Sequence, residues 1–226
     1  MIHSSELFHL DNMKFETDKQ ADIIFADYVY EDLGFSSWVD KYWDILGDNG
    51  IFIAMTDFHS DAEFHMYMKS KGAYLVDKLV WKNEWGRGAS KNAHMCYDVI
   101  LRYSKTPTWK FNRDVIQVPK VTAKSKGLNP SGRMTKTATA WIDDCALTTG
   151  ANERVIREDG HLQKWQKPEK LLFRVMAPFV EDGMLIIDPF AGTGTSGAVA
   201  RKLNCNWIGI EYGEEEYKLA KKRLGL

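Results

Sequence analysis

Cysteine is scarce in this chain, and the few cysteines present do not form the paired motifs of disulfide-rich or zinc-binding domains. Three cysteines, Cys96, Cys145 and Cys205, occur among 226 residues, far apart and never as CxxC. Such an odd, dispersed set argues against both a disulfide framework and a zinc site. The histidines also lack ligand spacing, so we predict no metal. This cysteine usage is typical of a reducing, cytosolic compartment.

Long apolar runs and the phosphate-binding pattern of nucleoside triphosphatases are missing as well. No stretch approaches the ~18 apolar residues of a membrane span. The polar, acidic N-terminal segment does not predict a signal peptide. The pattern GxxxxGK followed by Ser or Thr does not occur, which removes the usual triphosphate-binding interpretation. Hydrophobic residues at 44% and charged residues at 27% are ordinary globular values, so we expect a cytoplasmic globular protein with no membrane partner.

Charge is unevenly distributed, although the formal net charge is only -1. Acidic residues dominate between positions 11 and 63, whereas the segment 105–136 carries eight lysines or arginines and one aspartate. Clustered positive charge gains free energy when it releases counterions from phosphates. The basic segment is therefore a candidate contact for a polyanion, and a plain solvated surface is the alternative.

Short apolar, β-branched runs alternate with helical patterns, which predicts a parallel sheet with helices on both faces. Seven strands are predicted, at 5–9, 22–26, 50–55, 74–81, 97–103, 184–188 and 207–210. Five helices are predicted, at 36–46, 60–71, 168–179, 193–203 and 213–224. No long helix separates the fourth and fifth strands, so the later one should pair antiparallel. Weak periodicity over about 106–160 indicates an insertion within one domain.

A glycine-rich turn follows the strand at 184–188 and directly precedes a helix. Its sequence runs Asp188-Pro189-Phe190-Ala191-Gly192-Thr193-Gly194-Thr195. Glycine lets a ligand approach the backbone closely, and the helix N-terminus offers free N–H groups. The next strand ends in Glu211, a carboxylate that can accept hydrogen bonds from both hydroxyls of a ribose. The alternatives are an ordinary tight turn and helix-start charge shared with Glu214 and Glu215.

These residues resemble the amino-group DNA methyltransferases that use S-adenosylmethionine. DPFAGTGTSGAVARKL followed by NWIGIEYGEEEYKLAKKRL is similar to that family's cofactor region. Gln166-Lys167-Pro168 resembles its QKP element, and the family's remaining elements are matched by LFHLDNM, ADIIFADYVY and YDVILRYSK. The chain follows the family's permuted (β) order throughout. The resemblance covers nearly everything except about 106–160, where the family has its target-recognition region.

The resemblance implies a three-layer, Rossmann-like α/β methyltransferase fold, here with a seven-stranded mixed sheet. It divides the single domain into a catalytic part at 1–105, a target-recognition insertion at 106–160 and a cofactor-binding part at 161–226. The implied reaction is site-specific methyl transfer from S-adenosylmethionine to adenine N6 in double-stranded DNA, with base flipping, as in restriction–modification. Aspartate at the first catalytic position favours adenine, because cytosine-N4 enzymes of this family commonly carry serine there.

Three alternative functions stay open at this point. The first is a cytosine-N4 DNA methyltransferase, and the second is a catalytically silent relative that binds DNA or cofactor. The third, a small-molecule methyltransferase, is disfavoured by the basic insertion. The resemblance also allows two protein partners, a second copy of the chain and a cognate restriction enzyme, without deciding for either.

The implied catalytic tetrapeptide is Asp27-Tyr28-Val29-Tyr30. Asp27 and the carbonyl of residue 28 can accept both N–H groups of an exocyclic amine, and Tyr30 can stack on a base rotated out of the duplex. A capped strand end with an aromatic lid is the alternative. Both prolines of the family's motif are missing, which predicts a less preorganised loop, because Tyr28 and Val29 lose more conformational entropy than proline does. His161 also lies out of register with the family's histidine.

The remaining candidate residues fall into cofactor-binding and DNA-binding groups. The resemblance places Asp11 at the cofactor adenine and Lys167 at its methionine end, and it adds Asp188, Phe190, Ala191, Gly192, Thr193, Gly194, Thr195, Glu211 and Tyr212. The DNA-binding candidates are basic: Arg87, Lys91, Lys120, Lys124, Lys126, Arg133 and Lys136. The first two lie in the polar segment 83–92, which is either a loop that closes over DNA or a hairpin turn.

Overall fold

The structure, a computed structural model, describes residues 3–28, 35–87, 95–121, 131–147 and 152–226, with the backbone alone at 84–87 and 95. The α-helices are α1 Phe35–Ile45, α2 Asp61–Ser70, α3 Glu169–Met176, α4 Thr195–Lys202 and α5 Glu214–Leu224. The strands are β1 Ser5–His9, β2 Ala21–Asp27, β3 Leu46–Thr56, β4 Tyr74–Arg87, β5 Met95–Ser104, β6 Gln117–Pro119, β7 Thr135–Thr137, β8 Trp141–Ile142, β9 Leu185–Asp188 and β10 Asn206–Glu211. Short 3-10 helices occupy Asn12–Lys14, Arg113–Ile116 and Ala177–Phe179.

The main sheet has the strand order β1-β10-β9-β2-β3-β5-β4-β8. The five strands from β1 to β3 run parallel, so their carboxyl ends meet at one edge of the sheet. β5 pairs antiparallel with β3 and therefore begins at that same edge. In the sheet, β10 lies on one side of β9, whereas β3 lies on the opposite side of β2. The direction in which successive strands are added therefore reverses between β9 and β2. Ligands of open α/β sheets bind at such a switch point, outside the strand ends.

Two apolar clusters, one on each face of the sheet, form the core. On β2, Ile23 and Phe25 pack in the cluster that contains the buried residues of α3 and α4. Their neighbours Ile24 and Ala26 pack in the cluster that contains those of α1 and α2. Successive strand residues point to opposite faces, so a strand covered on both sides must be apolar throughout. The result is the three-layer α/β fold that the sequence predicts.

The predicted elements agree with the structure apart from the number of strands. All seven predicted strands and five predicted helices overlap observed elements, and β5 is antiparallel as expected. The sheet nevertheless has eight strands, because Trp141–Ile142 pairs parallel with Val80 and Trp81 at the edge of β4. The sequence gives no periodic signal for so short a strand, since its pairing is set by a distant strand edge. β4 also continues to Arg87, so the start of the polar segment 83–92 is strand.

The predicted insertion has a small sheet of its own. β6 and β7 pair antiparallel, with Gln117 opposite Thr137 and Pro119 opposite Thr135. The 3-10 helix before β6 is anchored to the main body by a hydrogen bond from Asn112 N–H to the Pro178 carbonyl, at 2.7 Å. Over the described ranges, no helix is both long and apolar enough to cross a membrane. In those same ranges no three His, Cys, Asp or Glu side chains are grouped to hold a metal ion.

Candidate active site

The glycine loop, which we define as Asp188–Thr195, connects the end of β9 to the start of α4. Gly192 and Gly194 have φ values of 51° and 75°, a left-handed conformation that favours glycine. A Cβ on Gly194 would also lie 3.0 Å from Leu224 on α5. Ala191 N–H donates to the Ile210 carbonyl at 2.9 Å, which ties the loop to β10. The loop is therefore a fixed concave backbone rather than an ordinary surface turn.

Asp188 is buried beneath this loop and organises it through hydrogen bonds. Its carboxylate accepts Phe190 N–H at 2.9 Å and the Ser196 hydroxyl, and Ser196 in turn accepts Trp207 Nε1–H at 3.0 Å. Burial raises the pKa of Asp188 to about 7, against the opposing effect of those two hydrogen bonds. A cation bound nearby would favour the ionised carboxylate.

Glu211 joins the glycine loop to the start of α5. One carboxylate oxygen accepts Gly192 N–H at 2.7 Å, and the other accepts Gly213 N–H at 2.7 Å. Burial raises the pKa of Glu211, and these backbone hydrogen bonds oppose the rise. Each carboxylate oxygen can accept more than one hydrogen bond, so Glu211 retains acceptor capacity for a ligand. The contact with Gly192 of the glycine loop is more than helix-start charge would provide.

The other predicted adenine-side residues lie next to Glu211. Leu10 N–H donates to the Glu211 carbonyl at 3.2 Å, which places Asp11 beside it. Asp11 itself accepts Met13 N–H at 2.9 Å and caps the first 3-10 helix. Tyr212 is 77% exposed. Asp11, Glu211 and Tyr212 do not line the pocket at the glycine loop, although Glu211 contacts Gly192, which does.

One pocket brings together the catalytic strand end, the glycine loop and the segment before α3. Its lining residues are Phe25, Asp27, Trp165, Gln166, Lys167, Leu172, Asp188, Phe190, Ala191, Gly192, Thr193, Thr195 and Ser196. Asp27 is the last residue of β2, so its carboxylate reaches the pocket from the edge where parallel strands end. Residues predicted as catalytic and as cofactor-binding from opposite ends of the chain therefore share one cavity.

Lys167 lies between two carboxylates at this pocket. Its Nζ is 3.4 Å from Asp27 Oδ1 and 3.7 Å from Asp98 Oδ2. The ammonium also lies 5.7 Å from the ring centroid of Trp81 on β4. Asn83 Nδ2 donates to Asp98 Oδ2 at 3.1 Å. The arrangement joins β2, β4 and β5 to the segment before α3 through charged contacts.

Tyr28 follows Asp27, and its ring is part of the core. It stacks on Phe64 at 5.7 Å and packs against Trp38 at 5.2 Å and Phe190 of the glycine loop at 6.4 Å. Burial raises the pKa of Tyr28 to about 12, and a hydrogen bond with Ser60 opposes that rise. The side chain thus anchors the end of β2, and only its backbone carbonyl is left as a candidate acceptor for an amine.

The basic candidates of the insertion that the structure describes, Lys120, Arg133 and Lys136, lie on or next to the antiparallel strands β6 and β7, which we call the β6–β7 hairpin. Arg133 and Lys136 line a concave surface together with Arg113, which sequence reasoning did not single out. Lys120 N–H donates to the Met134 carbonyl at 2.9 Å, across the same hairpin. This surface shares no lining residue with the pocket at the glycine loop.

Some predicted site residues lie outside the described part of the chain, and some residues of the observed site were not predicted. Val29, Tyr30, Lys91, Lys124 and Lys126 lie outside the described residues, and the Arg87 side chain is not described. The missed residues of the site are Asp98, Trp165 and Ser196. The only sequence signal for Asp98 is its place at the start of a strand whose antiparallel direction puts it at the site edge.

The chain is similar to several known DNA methyltransferases in sequence or in fold. The type II methyltransferase M.HpaI of Haemophilus parainfluenzae is 28% identical over 193 residues, or 83% of this chain and 57% of that protein. The M1.HpyAVI–SAM complex has a TM-score of 0.72 at 21% identity, covering 98% of this chain and 100% of that one. PvuII DNA methyltransferase (cytosine-N4-specific) has a TM-score of 0.69 at 13% identity, covering 97% and 86%.

The family match spans almost the whole chain, whereas the curated relatives are longer proteins. This chain spans about half the length of the curated relatives it matches, between 48% and 57%. The family model described as DNA methylase, of the N6/N4 type, matches residues 3–222. The chain therefore belongs to the N6/N4 DNA methylase family.

Proposed function

We propose that this protein transfers the methyl group of S-adenosylmethionine to the N6 amine of adenine in double-stranded DNA. The observation that carries the proposal is the shared pocket, in which Asp27 and the glycine loop face one cavity. A transferase of this kind needs the acceptor amine and the methyl donor side by side, because positioning supplies much of the rate. Membership of the DNA methylase family supports the same reaction.

The residues at the glycine loop fit S-adenosylmethionine. Glu211 has unused acceptor capacity for ribose hydroxyls, next to backbone that only glycine allows at Gly192 and Gly194. Asp27 and Asp188 place two carboxyl groups in the pocket beside the ammonium of Lys167, and carboxylate oxygens suit a sulfonium cation. When bound, the cofactor supplies an electrophilic methyl group.

The Glu211→Ala variant is expected to bind S-adenosylmethionine about 1–3 kcal/mol more weakly, because hydroxyl partners would be left unpaired in a partly buried site. Titration calorimetry measures the change. Glu214→Ala is the matched control, since Glu214 shares the helix-start charge but pairs only with exposed Lys218. Equal affinities for the wild type and the Glu211 variant would remove the ribose role.

The chain's own residues can activate an exocyclic amine without a metal ion. Such an amine is a weak nucleophile because its lone pair is delocalised into the base. Asp27 and the Tyr28 carbonyl would accept its two N–H bonds, which concentrates electron density on nitrogen and fixes its direction. The buried Tyr28 ring holds that carbonyl in place. Trp165, 76% exposed at the pocket mouth, limits the entry of water from one side.

Adenine N6 is proposed in preference to cytosine N4. Both bases present an amine beside a ring nitrogen, so the pocket chemistry serves either one. The carboxylate at position 27 favours adenine through the resemblance, in which cytosine-N4 enzymes commonly carry serine. A structural neighbour bears the words cytosine-N4-specific, but at 13% identity this likeness concerns the fold alone.

The proposed function can be tested by identifying the methylated nucleoside. The protein is incubated with tritiated S-adenosylmethionine and mixed-sequence DNA, and the DNA is then digested to nucleosides. Label in N6-methyl-2′-deoxyadenosine supports the proposal, whereas label in N4-methyl-2′-deoxycytidine supports the alternative base. No label despite cofactor binding would indicate a silent relative.

The β6–β7 hairpin is the proposed DNA contact, with Arg133 and Lys136 exposed on it. Each phosphate contact contributes a slope of about -0.9 to log affinity against log salt, so Arg133→Gln with Lys136→Gln should flatten the slope by up to about two units. The matched control is Lys221→Gln with Lys222→Gln on α5, two equally exposed lysines. The slopes are obtained by measuring DNA affinity at several salt concentrations. Equal slopes for both double variants would mean that the hairpin is a solvated surface and not a DNA contact.

The proposed domain division assigns 1–105 to catalysis, 106–160 to target recognition and 161–226 to cofactor binding. A type II methyltransferase acts on specific sites, and M.HpaI bears that description. A cognate restriction enzyme and a second copy of the chain are the proposed protein partners, and the cytoplasm is the proposed location because the DNA substrate lies there. Size-exclusion chromatography with light scattering at several protein concentrations tests the dimer.

A further inference from the structure

Asp98 lies beside the pocket and contacts Lys167, the residue that also contacts the carboxylate of Asp27. Lys167 Nζ lies 3.4 Å from Asp27 and 3.7 Å from Asp98, so one ammonium serves two carboxylates. The three side chains are between 14% and 20% exposed, which limits screening of their charges by water. The two carboxylates belong to strands far apart in sequence, and this lysine contacts both of them.

Two residues of β4 contact Lys167 or fix its second partner, Asp98. Asn83 donates to the Asp98 oxygen that faces Lys167, and this fixes that carboxylate. Trp81 presents its ring to the ammonium, and its own Nε1 donates to the Cys145 carbonyl at 3.3 Å. Rings fixed in this way attract a partly desolvated cation. The ammonium therefore has partners on β4 and β5 besides Asp27, and its distance of 3.4 Å from Asp27 is longer than that of a close ion pair.

Full pairing with Lys167 would impair the function proposed for Asp27. A close ion pair would occupy the carboxylate lone pairs that must accept the N–H bonds of the amine. We propose that Asp98 is a positioning residue that shares the Lys167 ammonium and so leaves Asp27 available to the substrate amine. This inference rests on the proposed function, because it assigns Asp98 a role in the same methyl transfer.

The test is a double-mutant cycle between Asp98 and Lys167. Asp98→Asn should lower the single-turnover rate of methyl transfer by about tenfold, because Lys167 then pairs with Asp27 alone. Titration calorimetry should find the affinity for S-adenosylmethionine unchanged. In a Lys167→Met background no ammonium is left to pair with Asp27, so adding Asp98→Asn there should cause no further loss. Additive losses, or an unchanged rate for Asp98→Asn, would overturn the proposal.

Asp77→Asn is the matched control. Asp77 lies on β4 and pairs with the buried Arg102, outside the pocket. Its loss should lower stability but not the rate at temperatures well below the unfolding midpoint. Asp98→Glu, which keeps the charge, should recover part of the rate lost in Asp98→Asn.

A crystal structure of the Asp98→Asn variant tests the inference without any activity. The Lys167 Nζ to Asp27 Oδ1 distance should shorten from 3.4 Å to that of a close ion pair, about 2.8 Å. An unchanged or longer distance overturns the role of Asp98, whatever the rates. Absence of methyl transfer by the wild type would instead overturn the proposed function, so the two failures are distinguishable.

Discussion

The Asp27→Asn variant should lose methyl transfer by about 100- to 1,000-fold or more, because the amide replaces the charged acceptor that is placed to hold the amine. Affinity for S-adenosylmethionine should stay within about a factor of three of the wild type, a difference below about 1 kcal/mol. The two properties separate because Asp27 acts on the acceptor amine, whereas the glycine loop and Glu211 hold the donor. Single-turnover methylation and titration calorimetry measure them independently.

The same strand supplies the control for this variant. Asp22 lies at the opposite end of β2, where its carboxylate accepts Leu185 N–H at 2.8 Å. Asp22→Asn removes an equal charge from β2 at the edge away from the pocket, so it should leave transfer unchanged. If Asp27→Asn weakened cofactor binding as much as it slowed transfer, Asp27 would be a cofactor residue. If it did neither, the tetrapeptide at 27–30 would not be catalytic.

The Tyr28→Ala variant should lower the free energy of unfolding by about 3–5 kcal/mol, the usual cost of deleting a buried aromatic side chain. The ring is only 4% exposed and contacts residues of α1, α2 and the glycine loop. Tyr28→Phe keeps these contacts and should change the free energy of unfolding by no more than about 1 kcal/mol, because it removes only the hydroxyl. Urea unfolding at equilibrium measures both variants.

Tyr212→Ala is the control for the unfolding measurements, because Tyr212 is 77% exposed and such surface changes usually stay within about 0.5 kcal/mol. A loss below about 1 kcal/mol for Tyr28→Ala would mean that the ring does not anchor the end of β2. The missing prolines of the tetrapeptide predict a less preorganised loop, and this stays a prediction, to which the structure adds one feature of residue 28. There the buried ring supplies the restraint, and Tyr28→Pro would remove it.

The strands and the glycine loop could be predicted because their signals are local. β2 and β3 are buried on both faces, so their sequences are continuous apolar runs that stand out from the rest. The turn DPFAGTG requires positive φ at Gly192 and Gly194, and glycine is the residue that permits it. The antiparallel direction of β5 followed from the absence of a helix between it and β4.

The contacts that complete the site could not be predicted, because they join residues distant in sequence. Trp141–Ile142 becomes a strand only against the edge of β4. Asp98 becomes part of the site because Lys167, 69 positions later in the sequence, contacts it. The role of Tyr28 depends on rings contributed by two helices and the glycine loop. None of these contacts has a signature in the spacing of neighbouring residues.

The central claim is that one pocket holds the methyl donor beside the residue that holds the acceptor amine. A crystal structure of the protein with S-adenosylmethionine tests it most directly, through the distance from the methyl carbon to the nearer Asp27 carboxylate oxygen. One amine nitrogen must fit between them, about 3–3.5 Å from the carbon and about 2.9 Å from the oxygen, which predicts a separation of about 5–6 Å. The ribose hydroxyls should contact Glu211 in the same structure. A methyl carbon more than about 10 Å from Asp27 leaves a gap too wide for one amine and would contradict the account, as would a cofactor bound away from the glycine loop.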